Sequence, residues 1–187
     1  APPNRPAHPP PAPPHHPPQI PPPPPPHPKA GPAAERASDS TGWSLLARAC
    51  RLGRLSISKH LIKVAGFDVE REDEGGRSPL RNASQAGQLP VVDFLVNKAG
   101  ADVKKAGKNG GTSLMLAAKG GHLPVVQLLA QAGADVNRAN KDGDTSLNLA
   151  AQGGHPDVVR FLATKAGADV SKADKKGGTP FMQACFK

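Results

Sequence analysis

The feature that most constrains this chain is a sequence period of 33 to 34 residues. A valine, a glycine and a hydroxyl residue each recur at this spacing in successive units. The valines are Val69, Val103, Val136 and Val170, the glycines are Gly66, Gly100, Gly133 and Gly167, and the hydroxyl residues are Ser44, Ser78, Thr112, Thr145 and Thr179. A period of this length is typical of repeat proteins, in which each unit packs only against its neighbours.

The third unit shows how each unit is predicted to fold. Residues 109–111 form a turn signal that contains two glycines, and Thr112 can cap the helix that follows. Residues 114–118 give that helix an apolar stripe, and Pro124 suits the first turn of a second helix that ends at Gly133. Helices of about two turns are marginal alone in water. The units are therefore predicted to be stable only as a stack that buries their apolar faces.

These residues resemble the ankyrin repeat family. The third repeat carries the pattern most completely, through Gly110, Thr112, Leu114, Ala117, Ala118, Gly121, His122, Val125, Val126, Leu128, Leu129, Gly133, Ala134, Asp135 and Val136. The resemblance covers residues 39–187, as units 39–72, 73–106, 107–139, 140–173 and a truncated unit 174–187. It implies an all-α, ankyrin-type helix-turn-helix solenoid with β-turn tips.

The sequence departs from the family pattern in two places. The Thr-Pro-Leu-His tetrad of the family lacks its histidine in every repeat, where the chain has Ala47, Arg81, Met115, Asn148 and Met182. We therefore expect the hydrogen bonds of that histidine to be missing and the array to be less stable. The fifth repeat has no outer helix, so we expect helix faces of the fourth repeat to be partly uncovered. Either the natural chain continues past Lys187 or a partner covers this end.

Residues 1–38 are predicted to form an extended, proline-rich arm. Of the 23 prolines, 18 lie between Pro2 and Pro32, which favours polyproline II. Such segments bind aromatic grooves, so residues 1–32 are a candidate contact for a polyproline-binding partner. The alternative is a stiff linker that binds nothing.

The formal net charge of +9 favours partners that carry negative charge. An acidic protein surface, a nucleic acid or anionic lipid headgroups would fit. Nucleic acid is disfavoured, because the chain has no tyrosine and few other aromatic residues that could stack on bases. No apolar run approaches the roughly 20 residues of a membrane-spanning helix, so no transmembrane segment is predicted.

The two cysteines are predicted to be free, buried thiols. Cys50 and Cys185 occupy the same place in the first and fifth repeats. Neighbouring helices pack roughly 8–10 Å apart, so four repeats separate the two residues by roughly 30–40 Å. A disulfide needs Cα atoms within about 7 Å. Free thiols favour a reducing compartment, such as the cytoplasm, the nucleus or the interior of an organelle.

No combination of residues predicts catalysis or a metal site. His122 and His155 each follow a glycine at matched positions, which favours a packing and hydrogen-bonding role at the start of the second helix over metal binding. Four more histidines lie among the prolines without a cysteine or acidic neighbour: His8, His15, His16 and His27. No nucleophile, base and orienting group come together. The chain is therefore predicted not to be an enzyme and to need no cofactor.

In ankyrin-like stacks, partners usually contact the turn tips and inner helices, which form a concave strip. The resemblance places partner-binding residues at Trp43, Arg51, Arg77, Gln85, Lys108, Asn109, Lys119, Lys141, Asp142, Asp144, Gln152, Lys175 and Lys176, together with Glu74. The basic excess favours an acidic protein surface, and the alternative is that the lysines only keep solvated turns soluble. Trp43 is either an aromatic anchor for the partner or a cap over the first repeat.

The sequence therefore favours a non-catalytic protein–protein binding module, an adaptor or scaffold. It would use the concave strip for one partner and the polyproline arm as a second contact. Two alternatives stay open. One is an accessory structural subunit of a large complex, including an organellar one, and the other is a basic surface that contacts nucleic acid.

Overall fold

The chain folds into short helices joined by turns. The structure, a computed structural model, describes residues 45–73 and 75–185. In chain order its helices are α1 (Leu45–Arg51), α2 (Leu55–Lys63), α3 (Pro79–Gln85), α4 (Leu89–Asn97), α5 (Ser113–Lys119), α6 (Leu123–Gln131), α7 (Ser146–Gly153), α8 (Pro156–Thr164) and α9 (Pro180–Cys185). No strand forms in these ranges, and an isolated antiparallel bridge joins Ala106 to Thr112. The proline-rich arm, Trp43 and Glu74 lie outside the described residues.

The helices alternate between two layers. The inner helices α1, α3, α5, α7 and α9 pack side by side in that order, and the outer helices α2, α4, α6 and α8 form the second layer. The core between the layers is built mainly from leucine, valine and alanine, with Phe67 and Phe94. None of the described helices has the length and apolar character of a membrane span. The predicted all-α, ankyrin-type solenoid is confirmed.

Hydroxyl residues begin the inner helices, as the sequence predicts. The Oγ1 atom of Thr112 accepts a hydrogen bond from the N–H of Met115 at 3.2 Å. Thr145 caps α7 in the same way through the N–H of Asn148, at 3.3 Å. Each cap pairs a backbone donor that the helix itself leaves unpaired, which stabilises a helix by about 1 kcal/mol.

Polar side chains at the start of the outer helices join each repeat to the one before. In three successive repeats this side chain bonds to the carbonyl oxygen that ends the preceding inner helix. The pairs are Gln88 with Arg51 (3.2 Å), His122 with Gln85 (3.1 Å) and His155 with Lys119 (2.9 Å). The predicted hydrogen-bonding role of His122 and His155 is therefore confirmed.

The glycine at each of these joints leaves room for the next repeat. Gly121 has φ +73°, and a Cβ atom there would lie 2.5 Å from Nδ1 of His155. A larger residue would be strained by its backbone and would also collide with the imidazole. Glycine therefore recurs at this position because the side chain of the next repeat packs against it.

Basic side chains form a second set of links between repeats. Each lies in the loop after an outer helix and donates to a backbone carbonyl of the preceding repeat. The pairs are Lys105 with Glu70 (2.7 Å), Arg138 with Lys104 (3.1 Å) and Lys172 with Asn137 (2.8 Å). Part of the basic excess therefore serves the stack itself.

An aspartate fixes the loop that carries these links. In the fourth repeat, Oδ1 of Asp169 accepts the N–H of Ser171 at 2.9 Å and its hydroxyl at 2.6 Å. These bonds stabilise the carboxylate and hold the pKa of Asp169 below its ordinary value. Asp68, Asp102 and Asp135 each accept the N–H two residues on in the same manner.

The expectation that the tetrad hydrogen bonds would be missing is wrong for two repeats. Asn148 stands at the histidine position and donates through Nδ2 to the carbonyls of Gly178 (3.2 Å) and Lys172 (3.4 Å). Arg81 stands at the same position in the second repeat and donates to the carbonyl of Gly76. In these two repeats, the side chains of Asn148 and Arg81 therefore donate hydrogen bonds in place of the histidine.

Arg81 also accounts for a glycine in the next repeat. A Cβ atom at Gly107 would collide with the Arg81 guanidinium, which lies against it. The equivalent positions carry Asp73, Asn140 and Asp174, whose side chains bond the turn tips. Burial lowers the pKa of Arg81, although the carboxylates of Glu72 and Asp73 act against this shift.

The prediction of two buried thiols is wrong for Cys185. Cys50 is buried, as expected, but Cys185 on α9 is exposed because no outer helix covers that repeat in the described part of the chain. Desolvation raises the pKa of Cys50 to about 11, although a hydrogen bond with Ser58 acts the other way. The two thiols should therefore differ in reactivity.

We predict that His155→Ala lowers the free energy of unfolding by about 1 kcal/mol, because it removes the hydrogen bond to the carbonyl of Lys119. Urea unfolding followed by circular dichroism measures the change. His60→Ala is the control, because His60 is exposed on α2, and it should change stability by less than about 0.5 kcal/mol. Equal losses in the two variants would contradict the role of His155.

We predict that iodoacetamide at pH 8 modifies Cys185 and spares Cys50 in the folded protein. A thiolate is the reactive form, and burial keeps Cys50 protonated well above pH 8. Intact mass spectrometry should show a single adduct under native conditions and two adducts in urea. Two adducts at similar rates in the native protein would show that Cys50 is accessible.

Candidate functional site

The turn tips and the last turns of the inner helices form one polar surface, which we call the tip strip. Its described part comprises residues 75–77, 107–111, 140–144 and 174–178 together with the exposed polar residues near the ends of α1, α3, α5 and α7. Equivalent residues recur along it once per repeat. The strip is therefore a row of sites whose spacing the stack fixes.

Side-chain oxygens give the tips a common shape. Oδ1 of Asn140 accepts the N–H groups of Asp142 and Asp144, both at 2.9 Å. Oδ1 of Asp174 accepts those of Lys176 and Gly178, both at 2.8 Å. Because an Asx oxygen satisfies two donors of its own turn, these two tips are held without help from a partner.

Backbone hydrogen bonds also join neighbouring tips. The N–H of Lys141 donates to the carbonyl of Asn109, and the N–H of Lys175 donates to that of Asp142, each at 3.0 Å. Side chains on successive tips are thus held in register. A partner would meet a preformed row, which lowers the entropic cost of binding.

The structure places most of the predicted partner-binding residues on this strip. The exposed ones are Arg51, Gln85, Lys108, Asn109, Lys119, Lys141, Asp142, Lys175 and Lys176, and the half-buried ones are Arg77, Asp144 and Gln152. Trp43 and Glu74 fall outside the described residues. Arg77 also has a structural role, because its Nε lies 2.9 Å from the fully buried carboxylate of Asp73.

Five of the predicted residues come together in one cleft. It has a volume of about 400 Å³ and is lined by Asp142, Asp144, Gln152, Asp174, Lys175 and Lys176. Gln152 donates to Asp144 at 2.9 Å, and Gln183 donates to Asp174 at 2.7 Å. The cleft therefore offers fixed carboxylates beside two exposed lysines.

Charge is distributed unevenly along the strip. In the first three repeats the described part carries Arg51, Arg77, Lys108 and Lys119, of which Arg77 is paired with Asp73. In the last two repeats Lys141, Lys175 and Lys176 are matched by Asp142, Asp144 and Asp174. The basic excess thus lies toward the first three repeats, and opposite charge on a partner would be attracted there.

Sequence reasoning missed a row in the middle of the inner helices. It consists of Arg48, Asn82, Leu116, Leu149 and Gln183, one from each repeat. Asn82 is buried, and neither its Nδ2 nor its Oδ1 has a hydrogen-bond partner in the described structure. The repeat spacing, counted from Arg48, identifies the members of this row from sequence. It does not show that the side chain of Asn82 lacks hydrogen-bond partners.

The arrangement suits binding, since the strip presents side chains of both charges, together with amide side chains, on a backbone fixed by hydrogen bonds. Within the described ranges, no group of three or more His, Cys, Asp or Glu residues is placed to hold a metal ion. The buried thiol of Cys50 lies in the core, where desolvation raises its pKa.

Comparison with known proteins agrees with this architecture. Residues 30–107 and 100–174 match the family model described as ankyrin repeats in three copies. No curated protein matches the chain. Ankyrin repeats are in general protein–protein interaction modules, typically without catalytic activity. Because the matches cover most of the sequence and agree with the repeated helix pairs, the chain belongs to the ankyrin repeat family.

Proposed function

We propose that this chain is a non-catalytic adaptor or scaffold that binds a protein partner through the tip strip. The observation that supports this most directly is the row of tips at residues 107–111, 140–144 and 174–178, which backbone hydrogen bonds hold in register and which carry exposed polar side chains. Recognition needs such groups at fixed distances, and the stack supplies them.

The partner would present an acidic surface to the first three repeats. The exposed side chains of Lys108 and Lys119 lie on a tip and at the end of an inner helix of the same repeat. Interactions between exposed charges steer association and are screened by salt. The polyproline segment, residues 1–32, is proposed as a second contact, for a partner with an aromatic groove.

An accessory structural subunit of a large complex is the second candidate. The observation that favours it is the exposure of apolar side chains on α9, where Phe181 is 76% exposed and Met182 is 48% exposed. Exposed large apolar side chains are typical of a surface that further polypeptide covers, and in this candidate function that polypeptide belongs to a neighbouring subunit.

We predict that the double variant Lys108→Glu/Lys119→Glu weakens partner binding at least tenfold, which corresponds to about 1.4 kcal/mol. Reversed charges on the strip would repel an acidic partner. The control is Lys98→Glu/Lys165→Glu, which changes the net charge equally on exposed residues that follow outer helices. Quantitative mass spectrometry of proteins captured from a native extract compares the wild type with both variants.

The proposal requires polypeptides that the wild type and the control retain and that the strip variant loses. Treating the extract with nuclease distinguishes this proposal from the nucleic-acid alternative, because proteins captured through bound nucleic acid would then be lost. If capture fails equally with both variants, net charge rather than the strip determines binding, and the proposal is wrong.

A further inference from the structure

The tip at residues 107–111 contains a chemically reactive dipeptide. Asn109 precedes Gly110, and no other asparagine in the sequence precedes a glycine. The backbone nitrogen of the residue after an asparagine can attack the side-chain amide, and glycine has no side chain to hinder that approach. Asn109 is also exposed, so water and base reach it. The tip therefore combines an electrophile, a nucleophile and access to solvent.

A hydrogen bond within the tip activates the amide of Asn109. Its Oδ1 accepts the N–H of Gly111 at 3.2 Å, which holds the carboxamide over the backbone of its own turn. Attack at the carboxamide carbon places negative charge on Oδ1. A donor already directed at that oxygen stabilises the developing charge, so the tip favours the addition step.

A second hydrogen bond slows the reaction. The N–H of Gly110 donates to the carbonyl of Gly107 at 2.8 Å. This N–H must lose its proton for the nitrogen to attack, so the turn has to open first. Exposed turns open locally at a small cost in free energy. We therefore expect the folded protein to react more slowly than a free peptide of the same sequence, and still to react.

We propose that Asn109 is a site of spontaneous deamidation in the folded protein. The nitrogen of Gly110 gives its proton to solvent base and forms a bond to Cγ of Asn109. The Cγ–Nδ2 bond breaks, and ammonia leaves. Water then opens the resulting succinimide ring. Opening at the former side-chain carbonyl gives aspartate, and opening at the former backbone carbonyl gives isoaspartate.

Both products change the tip strip. Each places a carboxylate next to Lys108, on a tip that has no acidic residue of its own. In isoaspartate, the carbonyl that accepted the N–H of Gly111 also becomes part of the main chain, which lengthens the backbone. The carbonyl of Asn109 accepts the N–H of Lys141 at 3.0 Å, so this product loosens the bond between the third and fourth tips. Weaker binding of an acidic partner would follow, and that effect rests on the proposed function.

The reaction is specific to the third repeat. The equivalent residues of the other described tips are Gly75, Asp142 and Lys176. None of these has a carboxamide that could release ammonia. Asp142 also precedes a glycine, but an ionised carboxylate is a poor electrophile. Deamidation therefore changes the charge of one tip and leaves the other described tips unaltered.

The test incubates the purified protein at mildly alkaline pH in water enriched in heavy oxygen, which labels only residues that react during the incubation. Peptide mapping by mass spectrometry follows each asparagine. Asn97 is the internal control, because it is exposed and precedes Lys98. We expect Asn109 to react about tenfold faster than Asn97 or more, because the nitrogen of glycine is unhindered. A synthetic peptide of residues 104–114 should react faster still.

Two variants identify the chemistry and its consequence. Asn109→Gln keeps a carboxamide but requires a larger ring, so it should lose the label. Asn109→Asp carries the new charge on an ordinary backbone. Ion exchange isolates the isoaspartate form of the wild type, in which the amide of Lys141 should exchange its hydrogen about tenfold faster than in fresh protein. Incubation should leave this exchange unchanged in Asn109→Gln, and Asn109→Asp should exchange like the fresh wild type.

Three results would overturn the proposal. The first is equal labelling of Asn109 and Asn97. The second is an unlabelled Asn109 in folded protein after the free peptide has reacted completely. The third is unchanged exchange at Lys141 in the isoaspartate form, which would show that the two tips stay joined. These measurements use no partner, so their outcome is independent of the proposed tip-strip function.

Discussion

Helices of six to nine residues are too short to persist alone, so every element of this fold depends on burial against a neighbouring repeat. Leucine, valine and alanine supply that burial, and polar links fix the spacing. The side chains of Gln88, His122 and His155 reach the preceding inner helix, while Lys105, Arg138 and Lys172 reach the preceding loop. The tip strip inherits its regular geometry from these contacts.

Much of the fold could be predicted from sequence because its signals are local and repeated. The cap at Thr112 and the glycine at Gly121 depend on groups within one repeat or at one joint. The contacts made by residues that depart from the repeat pattern are less predictable. Nothing in the sequence shows that Asn148 bonds the next repeat, or that Arg81 occupies the space over Gly107, because both contacts depend on three-dimensional packing.

In the candidate site, too, the position of a residue in the repeat could be predicted from sequence, whereas its contacts could not. Residue register was enough to place exposed side chains such as Lys108, Lys119 and Lys141 on the tip strip. It could not show that Arg77 is paired with a buried carboxylate, that Asp174 joins the cleft, or that Cys185 is exposed. The ion pairs and the burial of a side chain depend on which residues pack against it, and the repeat spacing does not specify those residues.

The basic links between loops have a mechanical consequence. Each joins only adjacent repeats, so a pulling force on the two ends would not be shared across the stack. Because the junctions lie in series, each would carry the whole load, and the weakest junction would open first. Under tension such an array should lengthen in a series of small steps, one for each junction that opens.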